Sequence, residues 1–215
     1  MSGDGGAAAR LWLVRHALVE PSARLVMYGD TDVPLCAAAL ASEVAAHAWL
    51  AGRLPRPARW YCTPLSRTRA TAEAVFAAGY PGQEPTVVPD MREQSLGEWQ
   101  GLSHEAFTRM LRDPPHPFWP HGPDERPPGG ESLSDVVARV GPALEAVADE
   151  NPGGDAVVVA HGGSIRAALA HACRLDAEAA LRFSVRNLAV TRLERVGGHW
   201  RVHSVNEVPP DGGPA

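Results

Sequence analysis

Short apolar runs alternate along the chain with longer segments whose apolar residues recur at helical spacing. The apolar runs predict buried strands at four places: 10–15, 58–62, 86–89 and 155–160. The helical spacing predicts helices at 36–52, 66–78, 103–112, 132–149 and 164–173. Ser66 is suited to be the N-cap of the second of these helices. Two closing strands, 188–195 and 199–206, flank a turn at Gly197 and Gly198.

The order of these elements predicts one α/β domain. Strands that alternate with helices indicate a sheet covered on both faces, that is, a three-layer αβα sandwich. We expect a single domain over residues 10–206, with flexible tails at 1–9 and 207–215. The segment 114–130 is rich in proline, glycine and histidine, and we expect it to form a loop that caps the functional site.

The composition is ordinary for a globular protein, and the charge excludes one class of partner. The chain has 215 residues, of which 45% are hydrophobic and 21% charged, and its formal net charge is -5. A nucleic-acid-binding protein would carry a basic face, so no nucleic acid is expected as a partner. The 20 basic residues are arginines, which suit phosphate or carboxylate recognition wherever the fold gathers them.

The cysteines and the N-terminal segment indicate where in the cell the protein is expected. Cys36, Cys62 and Cys173 are odd in number and widely spaced, which is typical neither of a disulfide framework nor of a zinc site. Residues 1–9 lack the basic and apolar regions of a signal peptide. No apolar run approaches the roughly 20 residues of a membrane helix. We therefore expect a cytoplasmic protein that does not bind a membrane.

Two histidines directly follow predicted strands. Arg15 and His16 end the first strand, and His161 follows the strand 155–160, with Gly162 and Gly163 behind it. In α/β sheets, ligands bind outside the carboxyl ends of the strands. A neutral imidazole is a competent nucleophile toward phosphorus, and a glycine-rich helix start offers amides to an anion. Solvated strand ends are the simpler alternative for these residues.

An arginine and two acids complete the candidate chemistry. Arg67 lies in the first turn of the helix 66–78, where a cation does not stabilise the helix dipole, so an anionic ligand gains support. A carboxylate near such a ligand could donate a proton to a leaving oxygen and later activate water. Glu93 and Glu98 are not separable on the residues alone, and a solvated loop acid is the simpler alternative.

The remaining histidines suggest no second site. His16 and His161 could be metal ligands, but no carboxylate-rich ligand set at metal spacing accompanies them. We expect His116 and His121 to be solvated in the cap loop and His171 to be an ordinary helix residue.

The aromatic side chains of the cap loop allow two interpretations of their role. His116, Phe118, Trp119 and His121 could line a pocket, but packing within the loop is the favoured interpretation.

The order of the segments resembles the histidine phosphatase superfamily, which has the phosphoglycerate-mutase-like fold. The residues that carry the resemblance are 15–17, 28–35, 63–72, 93–101, 128–132 and 161–163. One such segment would be weak evidence, but six in order, spanning roughly residues 10 to 195, are specific. The Gln94-to-Gly97 and His161-to-Ser164 segments are more similar to the phosphatase branch, which includes alpha-ribazole phosphatases and broad-specificity phosphatases, than to the mutases.

The resemblance implies a role for each candidate. His16 would be the phosphorylated nucleophile, and Glu93 would be the proton donor. Arg15, Arg67 and His161, with the backbone at Gly162, would bind the phosphoryl group. The sheet would be mixed and mostly parallel, and the excursion at about 103–150 would form a substrate cap. No metal or organic cofactor is implied, the substrate would be a small phosphorylated metabolite, and a homodimer stays open.

Two positions depart from the family pattern. Ala17 replaces the usual glycine, and its methyl would crowd the phosphate cradle if this position needed φ > 0. An asparagine that usually helps to hold the phosphate has become Ser22 or is absent. Three hypotheses remain: a phosphomonoesterase, a phosphoglycerate mutase, and a degenerate, non-catalytic phosphate-binding protein. Retention of both histidines argues against the third.

Overall fold

The computed structural model describes residues 7–209. The strands are β1 (Ala9–Arg15), β2 (Arg59–Cys62), β3 (Thr86–Val87), β4 (Asp155–Ala160), β5 (Val190–Val196) and β6 (His199–Glu207). The helices are α1 (Ala37–Ser42), α2 (Val44–Arg53), α3 (Ser66–Ala77), α4 (His104–Thr108), α5 (Leu133–Asp149), α6 (Gly162–Cys173) and α7 (Ala177–Ala180). Within this part of the chain, no helix combines the length and the apolarity that a membrane crossing needs.

The six strands form one mixed sheet in the order β3-β2-β4-β1-β5-β6. Neighbours among the first four strands are parallel, whereas β5 is antiparallel to both β1 and β6. The predicted fold class, an α/β sandwich with a mostly parallel sheet, is confirmed. The fold places β1 beside β4, in a register that pairs Arg15 with Ala160.

The side-chain alternation of β1 and β4 builds a core on each face of the sheet. Leu11 and Leu13 belong to a core with α5 and α6, whereas Trp12 and Val14 belong to a core with α2 and α3. Successive side chains of a strand point to opposite faces, so a continuous apolar run is what a strand covered on both faces requires. Two helical layers around one sheet follow from this.

Several predicted boundaries shift. The helix predicted at 36–52 is two helices, because the backbone leaves helical geometry at Glu43 (φ -91°, ψ 24°). Leu65, not Ser66, is the N-cap of α3. Helix α6 begins at Gly162, two residues earlier than predicted, and α7 was not predicted. Strands reach Ala9 and Glu207, one residue into each predicted tail; residues 1–6 and 210–215 of those tails lie outside the described residues.

The cap is shorter than the predicted excursion 103–150. Ser132 caps α5 by accepting a hydrogen bond from the Asp135 amide (3.2 Å), and the Asp135 carboxylate accepts one from the Ser132 amide (2.8 Å). From there α5 packs against the sheet and buries Val136, Val140 and Leu144 completely. Residues 104–131, which run from the start of α4 to the residue before the N-cap of α5, are called the cap segment from here on.

Candidate active site

The two histidines that follow strands meet at one edge of the sheet. Because β1 and β4 are parallel neighbours, their carboxyl ends coincide, and the His16 amide donates to the Ala160 carbonyl (3.0 Å). The ring centroids of His16 and His161 are 5.2 Å apart. Arg67 Nε donates to His161 Nδ1 (3.3 Å). These three residues are called the histidine cluster; the structure brings them together as the sequence predicted.

The hydrogen bonds of His16 define its protonation. Its Nδ1 lies 2.7 Å from the Ala17 carbonyl, which can only accept, so Nδ1 carries the proton and Nε2 keeps its lone pair. Burial, together with the positive charges of Arg67 and Arg15, holds the pKa of His16 well below its usual range. Asn187 Nδ2 donates to the His16 carbonyl (2.7 Å) and fixes the backbone there. The imidazole is therefore neutral at neutral pH.

His161 is held in the other tautomer. Because the Arg67 guanidinium only donates, His161 Nδ1 is the acceptor, and Nε2 carries the proton toward Thr63 Oγ1 (2.9 Å). Burial lowers the pKa of His161 strongly, and the neighbouring His16 imidazole and the positive charges of Arg67 and Arg15 lower it further. A dianion bound beside this ring would oppose those effects, because an opposite charge favours the protonated form.

Arg67 is fully buried and held by backbone carbonyls. Its Nη1 donates to Thr31 (2.8 Å) and its Nη2 to Gly29 (2.9 Å). Desolvation lowers the pKa of the Arg67 guanidinium, and the charge of Glu93 is the largest of the effects that oppose this. The neighbouring Ser66 donates its amide (2.8 Å) and its hydroxyl (2.7 Å) to the Asp32 carboxylate. The segment 28–35 is thus the support of the arginine.

Glu93 lies at the amino end of α6. Its carboxylate accepts from the Gly163 amide (3.1 Å) and the Gln94 amide (3.0 Å). A Cβ at position 163 would overlap Glu93 Oε1, so glycine is required for this approach. Arg139 on α5 donates to the Glu93 carbonyl (3.0 Å) and anchors its loop. Glu98 is exposed and does not line the cavity described below, so the structure separates the two acids.

Arg15 and Gly162 border a second arginine. Arg15 Nη1 donates to the Val185 carbonyl (2.6 Å), and its Nε is buried without a hydrogen-bond partner among the described residues. Arg166 Nη1 donates to the Gly162 carbonyl (3.1 Å), and its guanidinium lies 4.5 Å from the Trp119 ring. Burial and the charge of Arg15 lower the pKa of Arg166 to about 10. Positive charge is therefore concentrated at the start of α6.

A cavity of about 300 Å³ opens beside this cluster. Arg15, Glu93 and Gly162 line it, whereas the histidine cluster lies outside its lining, with His16 2% exposed and Arg67 and His161 fully buried. The rest of the lining comes from the segment after β1, from the segment after Glu93 and from the cap segment. Its members are Arg24, Val26, Met27, Tyr28, Gly29, Gln94, Leu96, His104, Trp119, Pro120 and His121.

The two departures from the family pattern have different consequences. Ala17 is not among the non-glycine residues of the described chain with positive φ, and its amide donates to Thr71 Oγ1 (2.9 Å). Because φ is not positive at Ala17, its methyl causes no left-handed backbone strain. The methyl is fully buried in an apolar core. Ser22 is exposed and is not part of the cavity lining, so no side chain at this position takes the place of the asparagine.

The cap loop corrects two expectations. His121 is 1% exposed and lines the cavity, and His116 is mostly covered, with its Nε2 3.2 Å from Glu178 Oε1. Both were expected to be solvated. Trp119 also lines the cavity, whereas Phe118 is 62% exposed and does not. Tertiary contacts with α7 and with the segment after Glu93 cover side chains that the loop alone would leave in water.

Several supporting residues were not predicted from the sequence. Asn187, Arg139, Arg166 and Thr63 hold the backbone or side chains of the predicted site. Arg139 also pairs with Glu131 (2.7 Å), in the segment 128–132 that carried part of the resemblance. That segment was the one sequence signal that could have led to Arg139. Among residues 7–209, no group of three or more histidine, cysteine or acidic side chains could hold a metal ion.

Comparison with known proteins identifies the class. The family model of the histidine phosphatase superfamily (branch 1) matches residues 11–208. The chain therefore belongs to this superfamily, and the predicted resemblance is confirmed. Its relatives include both phosphatases and phosphoglycerate mutases, which supports an enzyme.

Individual relatives show the range of activities in this family. The chain is 32% identical over 204 residues to glucosyl-3-phosphoglycerate phosphatase of Mycobacterium tuberculosis, covering 90% of this chain and 87% of that one. It is 31% identical over 156 residues to a metal-independent phosphoserine phosphatase of Arabidopsis thaliana (72% and 65% covered). It is 32% identical over 161 residues to a 2,3-bisphosphoglycerate-dependent phosphoglycerate mutase of Methylobacterium (73% and 77% covered).

A solved structure gives the same fold. The native mycobacterial glucosyl-3-phosphoglycerate phosphatase superposes with a TM-score of 0.77 at 26% identity, covering 93% of this chain and 99% of that chain.

Proposed function

We propose that the protein is a cytoplasmic, metal-independent phosphomonoesterase, which hydrolyses a small phosphorylated metabolite through a phosphohistidine on His16. The observation that carries the proposal is the fixed, neutral His16, whose Nδ1–H is bound by the Ala17 carbonyl and whose Nε2 is therefore a lone-pair donor. Phosphatase relatives that align over most of the chain support the same reaction class.

In the first step His16 Nε2 attacks the phosphorus of the monoester. The N–P bond forms, the P–O bond to the alcohol breaks, and the electron pair of that bond leaves on the alcohol oxygen. Glu93, in its protonated form, gives its proton to this oxygen, so the product leaves as an alcohol. Arg15, Arg67 and His161 neutralise the charge on the phosphoryl oxygens, as fixed cations and donors do most effectively away from water.

In the second step water attacks the phosphorus of the phosphohistidine. Glu93, now a carboxylate, takes a proton from this water. The P–N bond breaks, its electron pair returns to Nε2, and inorganic phosphate leaves. The site is then restored with neutral His16 and protonated Glu93.

The mutase hypothesis has its own support in the mutase relatives at about 31–32% identity. A mutase must keep water from the phosphohistidine and return the phosphoryl group to a second hydroxyl. The cavity beside Glu93 opens to solvent at exposed residues such as Arg24 and His104, which favours hydrolysis.

The test compares the wild-type protein with His16→Ala, using p-nitrophenyl phosphate at pH 5.5–7.5 with EDTA. We expect turnover in the wild type that survives EDTA and falls by at least about 10³-fold in the variant, because the nucleophile is lost. His203→Ala is the matched control, since His203 lies on β6, away from the cavity lining. A 3-phosphoglycerate isomerisation assay runs alongside.

The outcomes separate the hypotheses. Isomerisation faster than phosphate release would establish the mutase instead. Loss of turnover with EDTA would overturn the metal-independent mechanism. If the wild type binds inorganic phosphate but turns over no ester, the hypothesis of a non-catalytic phosphate-binding protein is supported instead.

A further inference from the structure

His121 lies in the wall of the cavity, although its position in a proline-rich loop predicts a solvated side chain. The residue is 1% exposed and lines the same cavity as Arg15 and Glu93. Its ring packs against Trp99 (centroids 5.9 Å apart) and Phe107 (6.3 Å apart). Those two side chains are themselves only 2% exposed, so the imidazole is held by a rigid apolar support.

The hydrogen bonds of His121 leave one nitrogen available. Its Nδ1 lies 2.8 Å from the Gly122 carbonyl, which only accepts, so Nδ1 carries the proton. Nε2 then holds a lone pair, and it has no hydrogen-bond partner among residues 7–209. Among these residues, the unpaired side-chain nitrogens that are completely sealed from solvent do not include His121 Nε2, so this atom keeps some contact with solvent. Burial lowers the pKa of His121, so the ring stays neutral and Nε2 stays an acceptor.

The cavity that His121 borders is mostly apolar. Met27, Leu96 and Trp119 line the cavity with it, whereas the cavity's charged side chains include Arg15 and Glu93 of the proposed phosphoryl site. A mostly apolar pocket with a few placed polar groups takes its specificity from those polar groups. An acceptor that loses water when a ligand enters must find a donor on that ligand, or the binding is penalised.

We propose that His121 Nε2 is a specificity-determining acceptor, which binds a hydroxyl or amino group on the alcohol part of the phosphomonoester. This inference rests on the proposed function and deepens it. The substrate class is then a phosphomonoester with a short apolar body and a second donor group, which reaches from the phosphoryl site to the cap segment. The cavity volume of about 300 Å³ limits that body to a small metabolite.

The test uses matched substrates that differ only in the donor. Alkyl phosphates of three to six carbons are compared with the ω-hydroxy and ω-amino compounds of equal length, and kcat/KM is measured by phosphate release. In the wild type we expect a preference of about tenfold or more for a donor-bearing compound at one chain length. The hydroxy and amino series distinguish the two sources of the donor.

Two substitutions at position 121 test the nitrogen itself. His121→Asn keeps an N–H near the position of Nδ1 and removes the acceptor at the position of Nε2, so the preference should fall to near one. His121→Gln keeps a polar group near the Nε2 position and should restore part of the preference. Phe118→Ala, an exposed change in the same loop, should leave the preference as in the wild type. Circular-dichroism melts establish that each variant is folded.

The outcomes keep the two proposals apart. A wild type that turns over these esters without any donor preference overturns the role of His121, as does a preference that survives in His121→Asn. If no ester is turned over at all, the proposed function fails. The same compound pairs are then titrated into the wild type by calorimetry, where equal affinities with and without the donor overturn the role of His121.

Discussion

The histidine cluster lies beside the cavity that the cap segment helps to line, and the two regions are built in different ways. His16 and His161 follow adjacent parallel strands, and their neighbours are backbone carbonyls and side chains anchored in the sheet or in helices. The cap segment contains one helix of five residues and seven prolines. Its contacts with the rest of the protein include the Trp119–Arg166 stack and the His116–Glu178 hydrogen bond.

This difference suggests that the histidine cluster carries out the reaction and that the cap segment recognises the leaving group. A group that must attack phosphorus needs a fixed position, and strand ends tied into a sheet provide it. A wall that contacts only the leaving group can be a loop, because loops on a rigid scaffold commonly carry specificity. We therefore expect changes near Glu93 and His16 to lower kcat, and changes in the cap segment to act mainly on KM.

The largest expected effect, beyond loss of His16 itself, comes from Glu93→Gln. The amide has almost the same shape but cannot donate or take a proton as the acid does, so kcat for an alkyl phosphate should fall by about 10²–10⁴-fold. KM should change little. Steady-state kinetics with p-nitrophenyl phosphate provide a second test, because its leaving group needs less protonation and the loss should be smaller. Equal losses for both substrates would argue against a proton-donor role.

A smaller effect is expected from Trp119→Ala in the cap segment. The indole lines the cavity and stacks on Arg166, so its removal takes away apolar contact with the leaving group. We expect KM to rise by about tenfold, equivalent to about 1.4 kcal/mol, with a lesser change in kcat. Phe118→Ala is the matched aromatic control beside it. A fall in kcat as large as that of Glu93→Gln would contradict the proposed difference between the catalytic residues and the cap segment.

The smallest effect concerns stability in mild acid. The pKa values of His16 and His161 are lowered by burial in the folded protein, while the unfolded chain has its ordinary pKa near 6.5. The unfolded state therefore binds more protons as the pH falls through this value, and stability is lost on the acid side. We expect the melting temperature to fall between pH 7.5 and 5.5, and to fall less in a His16→Asn/His161→Asn variant. If the melting temperature fell equally with pH in the wild type and in the variant, the two histidines would not be the cause.

Much of the framework could be predicted from local pattern. A buried parallel strand is a continuous apolar run, so 155–160 was predicted with the bounds it has in the structure. His16, His161, Arg67 and Glu93 were candidates because of their positions after strands or at a helix start, together with the family resemblance. The short α7 and the break at Glu43 lacked such a pattern, since a few residues of alanine-rich sequence favour helix whether or not it is interrupted.

The sequence by itself determined which chemical groups stand at the ends of β1 and β4, because a side chain's place after a strand is a local property. Only the tertiary structure decided that Glu93, not Glu98, reaches α6, that Ala17 needs no left-handed backbone, and that His121 is buried. Each of these depends on contacts between residues far apart in the chain. Burial and pKa follow from what packs around a side chain, and that is fixed only when the sheet, the helices and the cap segment come together.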